Sequence, residues 1–415
     1  MVPAKDILPW GWLCPPRAGS VGVMPARLPS VETLAAEATE LLARLVAFDT
    51  TSRNSNLALI AFVEARLASL GVTGARIANA DGSKTNLYAT LGPATEGGVV
   101  LSGHSDVVPV DGQDWHSDPF SLTRRGDRLF GRGTCDMKTF LALGLAAAPL
   151  FARLARPVHL AFTYDEEVGC VGAPAMIADM AAHLPRPAAA IVGEPTNMEV
   201  VSAHKAIATW IVTVTGHEAH SSLTHLGLSA NMAAVRLMHG LAMLAERLEA
   251  AAPADSPFLP PHATLTIGQV NGGTAVNILA RQCVFAFDLR CPPGLDPDAA
   301  IAPFMAEAAA MDKAMKARFA DSGVVVARRS NAPALAPEPD GEAERLARRI
   351  AGDNGPARAV VFAAEAGQFQ QAGFSTVLCG PGSIEQAHQP DEYIEVAQVE
   401  RGAAFMLRLA DALSA

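Results

Sequence analysis

Two hydrophobic rhythms alternate along the first half of this chain. Residues 33–48 and 57–70 carry apolar side chains at helical spacing, and both precede the strand-like segments around TNLYATLG and GVVLSGH. The Ala/Leu-rich run from Lys138 to Leu154 predicts a helix packed on a sheet. VHLAFTY (158–164) and AAAIVG (188–193) are short, continuous apolar runs, the pattern of strands covered on both faces. Strands alternating with helices predict an open, mostly parallel α/β sheet.

The rhythm changes near Val200. AIATWIVTVTG alternates with a period of two, residues 226–251 return to helical spacing, and ATLTIGQVNGG and RQCVFAFDLR alternate again. A helix over 297–320 and the strand GVVVARR complete the order βαββαβ, the ferredoxin-like split arrangement. After the Pro-rich connector NAPALAPEPDG, EAERLARRIAG reads as helix and STVLCGPG as strand. The predicted fold class is therefore α/β, with one domain built from 31–199 and 331–415 and interrupted by a ferredoxin-like α+β domain over 200–330. Its length of 415 residues independently favours two domains. Residues 1–30 are expected to be a leader, disordered or lying partly ahead of a true start at Met24. ILPWGWLCPP is too short and Pro-rich for a signal peptide, whereas MPARLPSVETLAAEATELLARLVAF enters an amphipathic helix capped near Ser30.

Acidic residues and two histidines fall just after the apolar runs. His104 and Asp106 follow VVLSG, Glu166 and Glu167 follow VHLAFTY, Glu194 follows AAAIVG, His388 lies beyond STVLCG, and Asp136 opens the 138–154 helix. Sites in open α/β sheets form beyond the carboxyl ends of strands, so these residues can converge on one edge. A desolvated carboxylate without a partner is costly, and a pair of divalent metal ions would compensate the set. Mixed imidazole and carboxylate ligands suit Zn²⁺ better than Ca²⁺ or Mg²⁺, and the lack of thiolates argues against a purely structural site. His104 can bind through one nitrogen while Asp106 accepts from the other and fixes the tautomer. Asp136 can bridge two ions. Of the adjacent pair Glu166 and Glu167, one can bind metal while the other takes a proton from water whose pKa the metal lowers to ~7.

Composition narrows the partners. A net charge of -10 argues against a nucleic-acid surface and favours a cationic or zwitterionic substrate. The six cysteines show neither CxxC spacing nor a dense framework and read as reduced thiols of a cytoplasmic protein. No apolar stretch approaches the ~20 residues of a membrane span. Cys135, beside Asp136, lacks the His/Asn pattern of a thiol hydrolase. GHSDV lacks the second glycine of a serine nucleophile elbow, and GPGS is followed by no lysine that would make a phosphate loop.

In their order along the chain, the segments SGHSDVVPVDGQDWHSDPF, LFGRGTCDMK, TYDEEVGCVGA, VGEPT, GHEAHSS, GGTAVNI, EAGQFQQAG and GPGSIEQAHQPDEYI carry a resemblance. From about residue 32 onward the chain resembles the M20 metallopeptidases, and within them the acetylornithine deacetylases. The resemblance implies two Zn²⁺ ions, with Co²⁺ as an in vitro substitute. One would be held by His104, Asp136 and Glu194, the other by Asp136, Glu167 and His388. Glu166 would be the general base, with Asp106 supporting His104, and the Asp136–Met137 peptide bond would be cis. The inserted domain becomes a lid that also dimerises, and His220 reaches into the partner's site to stabilise the oxyanion. Asn277 and Arg290 would contact the substrate carboxylate and carbonyl, the backbone N–H groups of Gly382 and Ser383 the carboxylate, and Glu365 the ornithine amine. His217 and His225 are read as surface residues. Thr139 stands where such proteins frequently carry glycine.

The activity so implied, on a small N-acyl amino acid, is removal of the acetyl group from N2-acetyl-L-ornithine to give L-ornithine and acetate in arginine synthesis. The alternatives are desuccinylation of succinyl-diaminopimelate, aminoacylase or dipeptidase action, and a non-catalytic binding homologue. A free carboxylate at Glu166 argues against the last. A homodimer is expected, with no nucleic-acid or membrane partner.

Overall fold

In this computed structural model the described residues are 28–414, so Met24, Cys14 and the leader up to residue 27 lie outside them. The first helix, Val31–Val46, begins at Ser30, whose side chain accepts the Thr33 N–H. That bond satisfies one of the donors a helix start leaves open.

Six strands form the main sheet in the order Ala75–Ala78, Thr85–Leu91, Val158–Thr163, Val99–His104, Ala189–Pro195 and Thr376–Gly380. Val99–His104 lies parallel to both its neighbours, and Thr376–Gly380 lies parallel to Ala189–Pro195. Thr85–Leu91 pairs antiparallel with both its neighbours, the edge strand Ala75–Ala78 and Val158–Thr163. The class is mixed α/β with a mostly parallel sheet. Every residue of Val99–His104 and Val158–Thr163 is buried, because helices cover both faces. The strand period of two sorts the side chains: Val99 and Leu101 join the core under Val31–Val46, Thr139–Phe151 and Val396–Ala412. Val100 and Ala161 face the opposite core with Met176, Val192 and Phe369. The stretch Thr134–Phe151 is long and apolar enough to cross a membrane by composition, yet 89% of it is buried inside the fold.

Residues from Ala206 to Ala332 build an antiparallel four-stranded sheet in the order Thr264–Gly272, Gln282–Cys291, Ala206–Thr215 and Gly323–Ala332. Ala206–Thr215 alternates buried and half-buried positions along its length. Its inward residues Trp210, Val212 and Val214 pack with Phe285, Phe287 and, from the helices Ala230–Ala250 and Pro297–Arg318, Leu237, Leu241 and Phe304. This core contains none of the side chains of the main one.

The helix expected from residue 226 starts instead at Ala230, because Ser229 caps it through the Met232 N–H. Several elements were not read from the sequence, among them the helices Ala173–His183, Ala366–Gln371 and Val396–Ala412, the strand Ala75–Ala78, and a small sheet of Thr123–Arg125, Arg128–Phe130 and Tyr393–Glu395.

Candidate metal centre

Parallel strands deliver the site because their carboxyl ends share one edge. His104 ends Val99–His104, and Glu194 lies at the end of Ala189–Pro195. Glu166 and Glu167 follow Val158–Thr163 on a turn that begins at Asp165, φ 57. Asp136 comes from the turn Thr134–Lys138, which opens the helix Thr139–Phe151, and its peptide bond to Met137 is cis. His388 lies beyond Thr376–Gly380 with φ 63.

These side chains form two groups that share Asp136: His104, Asp136 and Glu194 in one, and Asp136, Glu167 and His388 in the other. The possible ligand atoms in each lie within 4.8 Å of one another. His104 Nε2 stands 2.9 Å from Asp136 Oδ1. His388 Nε2 stands 3.3 Å from Asp136 Oδ2 and 2.9 Å from Glu167 Oε2. Among the described residues, Glu167 Oε1 and Glu194 Oε1 are buried and have no hydrogen-bond partner.

The electrostatics describe a buried surplus of negative charge. Burial pushes the Glu166 carboxyl up to about 8, and the nearby Glu167, Asp136 and Glu365 carboxylates push the same way against the opposing pull of His104. Burial likewise raises Glu194 well above its ordinary value, with Asp136 and Glu166 adding to the shift. Burial raises Asp136 too, but hydrogen bonds from His104 and His388 outweigh it and hold that carboxyl low. Hydrogen bonds to Asp136 and Glu167 push His388 up to about 11. A set of imidazole and carboxylate donors with orphaned oxygens fits a borderline divalent cation such as zinc.

Asp106 acts differently from the expectation. Nδ1 of His104 donates to the main-chain carbonyl of Asp106 at 2.8 Å, while the Asp106 carboxylate stands 3.7 Å away. The chain turns directly after the strand, so the carbonyl reaches the ring and the side chain points elsewhere. Its oxygens accept the N–H groups of Glu166 at 3.2 Å and Glu167 at 3.3 Å, and the Ser52 hydroxyl at 2.7 Å. Asp106 therefore fixes the turn that carries both glutamates. Glu166 belongs to neither ligand group, and its Oε1 accepts from the Cys170 thiol at 3.1 Å.

Other expected residues fall in different places. Glu365 is 1% exposed and lies beneath the carboxylates, with Oε2 3.4 Å from the Ser102 hydroxyl and Oε1 unpartnered among the described residues. The N–H groups of Gly382 and Ser383 face the side-chain oxygens of Gln398 and Gln386, each at 3.3 Å. Cys135 donates to the Ser383 carbonyl at 3.1 Å, and burial raises its thiol far above the reactive range.

His220 and Asn277 lie together, and neither belongs to a ligand group. The Ser221 N–H donates to the Asn277 carbonyl, and His220 bonds the Ser222 hydroxyl at 2.8 Å. Both residues are exposed. Arg290 pairs with Asp288 at 3.0 Å on the strand Gln282–Cys291. His217 is stacked on Phe319 and bonded to Asp321.

Sequence reasoning missed Glu392 and Arg132. Glu392, 1% exposed, accepts the N–H groups of Gly133, Cys135 and Asp136 at 3.0, 2.8 and 3.1 Å, and Nη1 of buried Arg132 at 2.6 Å. This ion pair shapes the turn that presents Asp136. Both residues sit inside the GRG and PDEY segments, but nothing in the sequence links them.

The sequence model of Peptidase family M20/M25/M40 matches residues 100–412. An acetylornithine deacetylase from Proteus mirabilis is 36% identical over 326 residues, covering 76% of this chain and 79% of that protein. One from Myxococcus xanthus is 35% identical over 379 residues, 88% of this chain and 95% of its own length. Among solved structures, an M20 family metallo-carboxypeptidase from Sulfolobus solfataricus superposes with a TM-score of 0.70 at 17% identity, covering 90% of this chain and 98% of that one. Human carnosine dipeptidase 1 superposes at 0.67 with 17% identity over 92% of this chain and 98% of its own. At such identities the structures support the fold alone.

Proposed function

Because the chain belongs to peptidase family M20/M25/M40, whose members are metal-dependent hydrolases of amide bonds, we propose that it is a dinuclear-zinc deacetylase of N2-acetyl-L-ornithine. The observation that carries the metal reading is the pair of ligand groups meeting at Asp136. The relatives named acetylornithine deacetylase carry the substrate reading. Zinc ions held by His104, Asp136 and Glu194, and by Asp136, Glu167 and His388, would polarise the acetyl carbonyl and acidify the attacking water.

The chain's own residues do the rest. Glu166 takes a proton from that water as oxygen attacks the acetyl carbon, then returns it to the leaving amine nitrogen; acetate and L-ornithine result. Burial raises its carboxyl above the ordinary carboxylate value in the metal-free chain, the direction that favours taking the proton. Asp106 and the Cys170 thiol keep it aimed.

His220 supplies the oxyanion donor from a second subunit, with Asn277 arriving alongside it. Two features support a homodimer: His220 lies outside its own chain's ligand groups, and Met232, Val235, Val270 and Val276 leave apolar surface exposed on the helix Ala230–Ala250, the edge strand Thr264–Gly272 and the loop that follows it. In this reading the unit 200–330 is a lid. As it closes, Arg290 and the Gly382–Ser383 loop meet the substrate carboxylate, while Glu365 offers negative charge to the ornithine amine. The free cysteines among the described residues fit a reducing cytoplasm.

The test is a substrate panel on zinc-loaded protein: N2-acetyl-L-ornithine, N-succinyl-diaminopimelate, N-acetylmethionine and dipeptides. The account expects the highest kcat/KM on N2-acetyl-L-ornithine. Preference for any other member replaces the substrate assignment, and no turnover of any member removes the catalytic one.

A further inference from the structure

His388 presents its ring to Asp136 and Glu167 from a loop, with half of its side chain exposed and its backbone at φ 63. A histidine holds that left-handed conformation only where its surroundings secure it. The securing contact comes from Gln113, whose Nε2 donates to the His388 carbonyl at 3.0 Å. The same amide turns its oxygen to two donors, Arg132 Nη2 at 2.6 Å and Trp115 Nε1 at 3.1 Å. Those two N–H groups dictate which way the amide faces, so its NH₂ can only point to His388. The Arg132 guanidinium also lies 5.0 Å from the centre of the Trp115 ring.

Through Arg132 the chain of bonds reaches Glu392, and through Glu392 the N–H of Asp136. One connected run, Asp136–Glu392–Arg132–Gln113–His388, thus ties together the main chains of two residues in the second ligand group. We propose that Gln113 is a positioning residue for that group, setting His388 at the distance from Asp136 that a shared metal ion requires. The inference rests on the metal reading above. Glu194 and His104 are held on strands and lie outside this run.

Gln113→Glu is the discriminating variant. A carboxylate keeps both contacts on the oxygen side, to Arg132 and Trp115, but sets an acceptor against the His388 carbonyl. Gln113→Met removes all three hydrogen bonds at similar length. The experiment titrates chelator-stripped full-length wild type and both variants with Zn²⁺ against a competing chromophoric chelator, and records metal-free thermal midpoints. Wild type should bind two ions. In both variants one ion should bind as in wild type and the other roughly 10–100-fold more weakly, the usual effect of losing a group that orients a metal ligand. The metal-free midpoint of Gln113→Glu should match wild type. Two ions bound with wild-type affinities in both variants would overturn the proposal. So would an equal loss at both sites, or a loss that follows a lowered midpoint, since a merely structural role produces that pattern. A wild type that binds no zinc would instead bring down the metal reading itself.

Discussion

Replacing Glu392 by glutamine tests whether a buried ion pair holds the Asp136 turn. The carboxylate accepts from four donors, two on each oxygen. A glutamine NH₂ in place of Oε1 would face the N–H groups of Cys135 and Asp136; in place of Oε2 it would face Gly133 and Arg132. Either orientation breaks two bonds and leaves the Arg132 guanidinium, 1% exposed, without its counter-charge. Removing one partner of a buried pair costs roughly 3–5 kcal/mol. At ~2–4 °C per kcal/mol for a domain of this order, the metal-free thermal midpoint should fall by about 6–20 °C. Circular dichroism melts in chelator give that number without stabilisation by bound zinc. The double variant Glu392→Gln with Arg132→Met removes the stranded charge and should melt above the single variant. A single variant within about 2 °C of wild type would refute the argument, as would a double variant that melts lowest of all.

Three further outcomes follow from the site and the core. Glu166→Gln should keep both ions by metal analysis and lose about 10²–10⁴-fold in kcat; loss of metal would show that Glu166, and not only Glu167, is a ligand. Mixing His220→Ala with Glu166→Gln should restore about a quarter of wild-type activity once half the dimers are mixed, each with one intact site; no recovery despite proven exchange excludes action across subunits. His159 and His204 are buried, and burial lowers both to about 4. An imidazole whose folded value is depressed contributes full stability above its unfolded value of ~6.5 and loses it as pH falls towards 4, about 2 kcal/mol each at pH 5. His159→Gln should therefore lose about 2 kcal/mol less than wild type between pH 7 and 5 in denaturant titrations, and an unchanged loss would contradict the burial argument.

The strands were legible because apolar runs as short as VHLAFT, rich in β-branched and aromatic residues, suit a strand covered on both faces better than a helix, and the ligands because charged residues ended those runs. Asp106 shows the limit. Spacing placed it beside His104 but could not say whether its carbonyl or its carboxylate would meet the ring. The partnership of Arg132 and Glu392 spans 260 residues and exists only after the sheet has formed. Burial of Glu365 is hidden for the same reason, because depth is a property of the assembled layers. The helix Val396–Ala412 was within reach, since Val399, Ala403, Met406 and Ala410 recur at helical spacing along its buried face.

The central claim is a pair of metal ions sharing Asp136 and serving hydrolysis of an acetylated amino acid. Acetate release from N2-acetyl-L-ornithine, measured as Zn²⁺ is returned stepwise to chelator-stripped protein, tests it most directly. The account predicts that activity rises with metal and reaches its plateau at two equivalents per chain, whereas Asp136→Asn stays inactive at every loading. Full activity in the stripped protein, or a wild-type level of acetate release from Asp136→Asn, would contradict it.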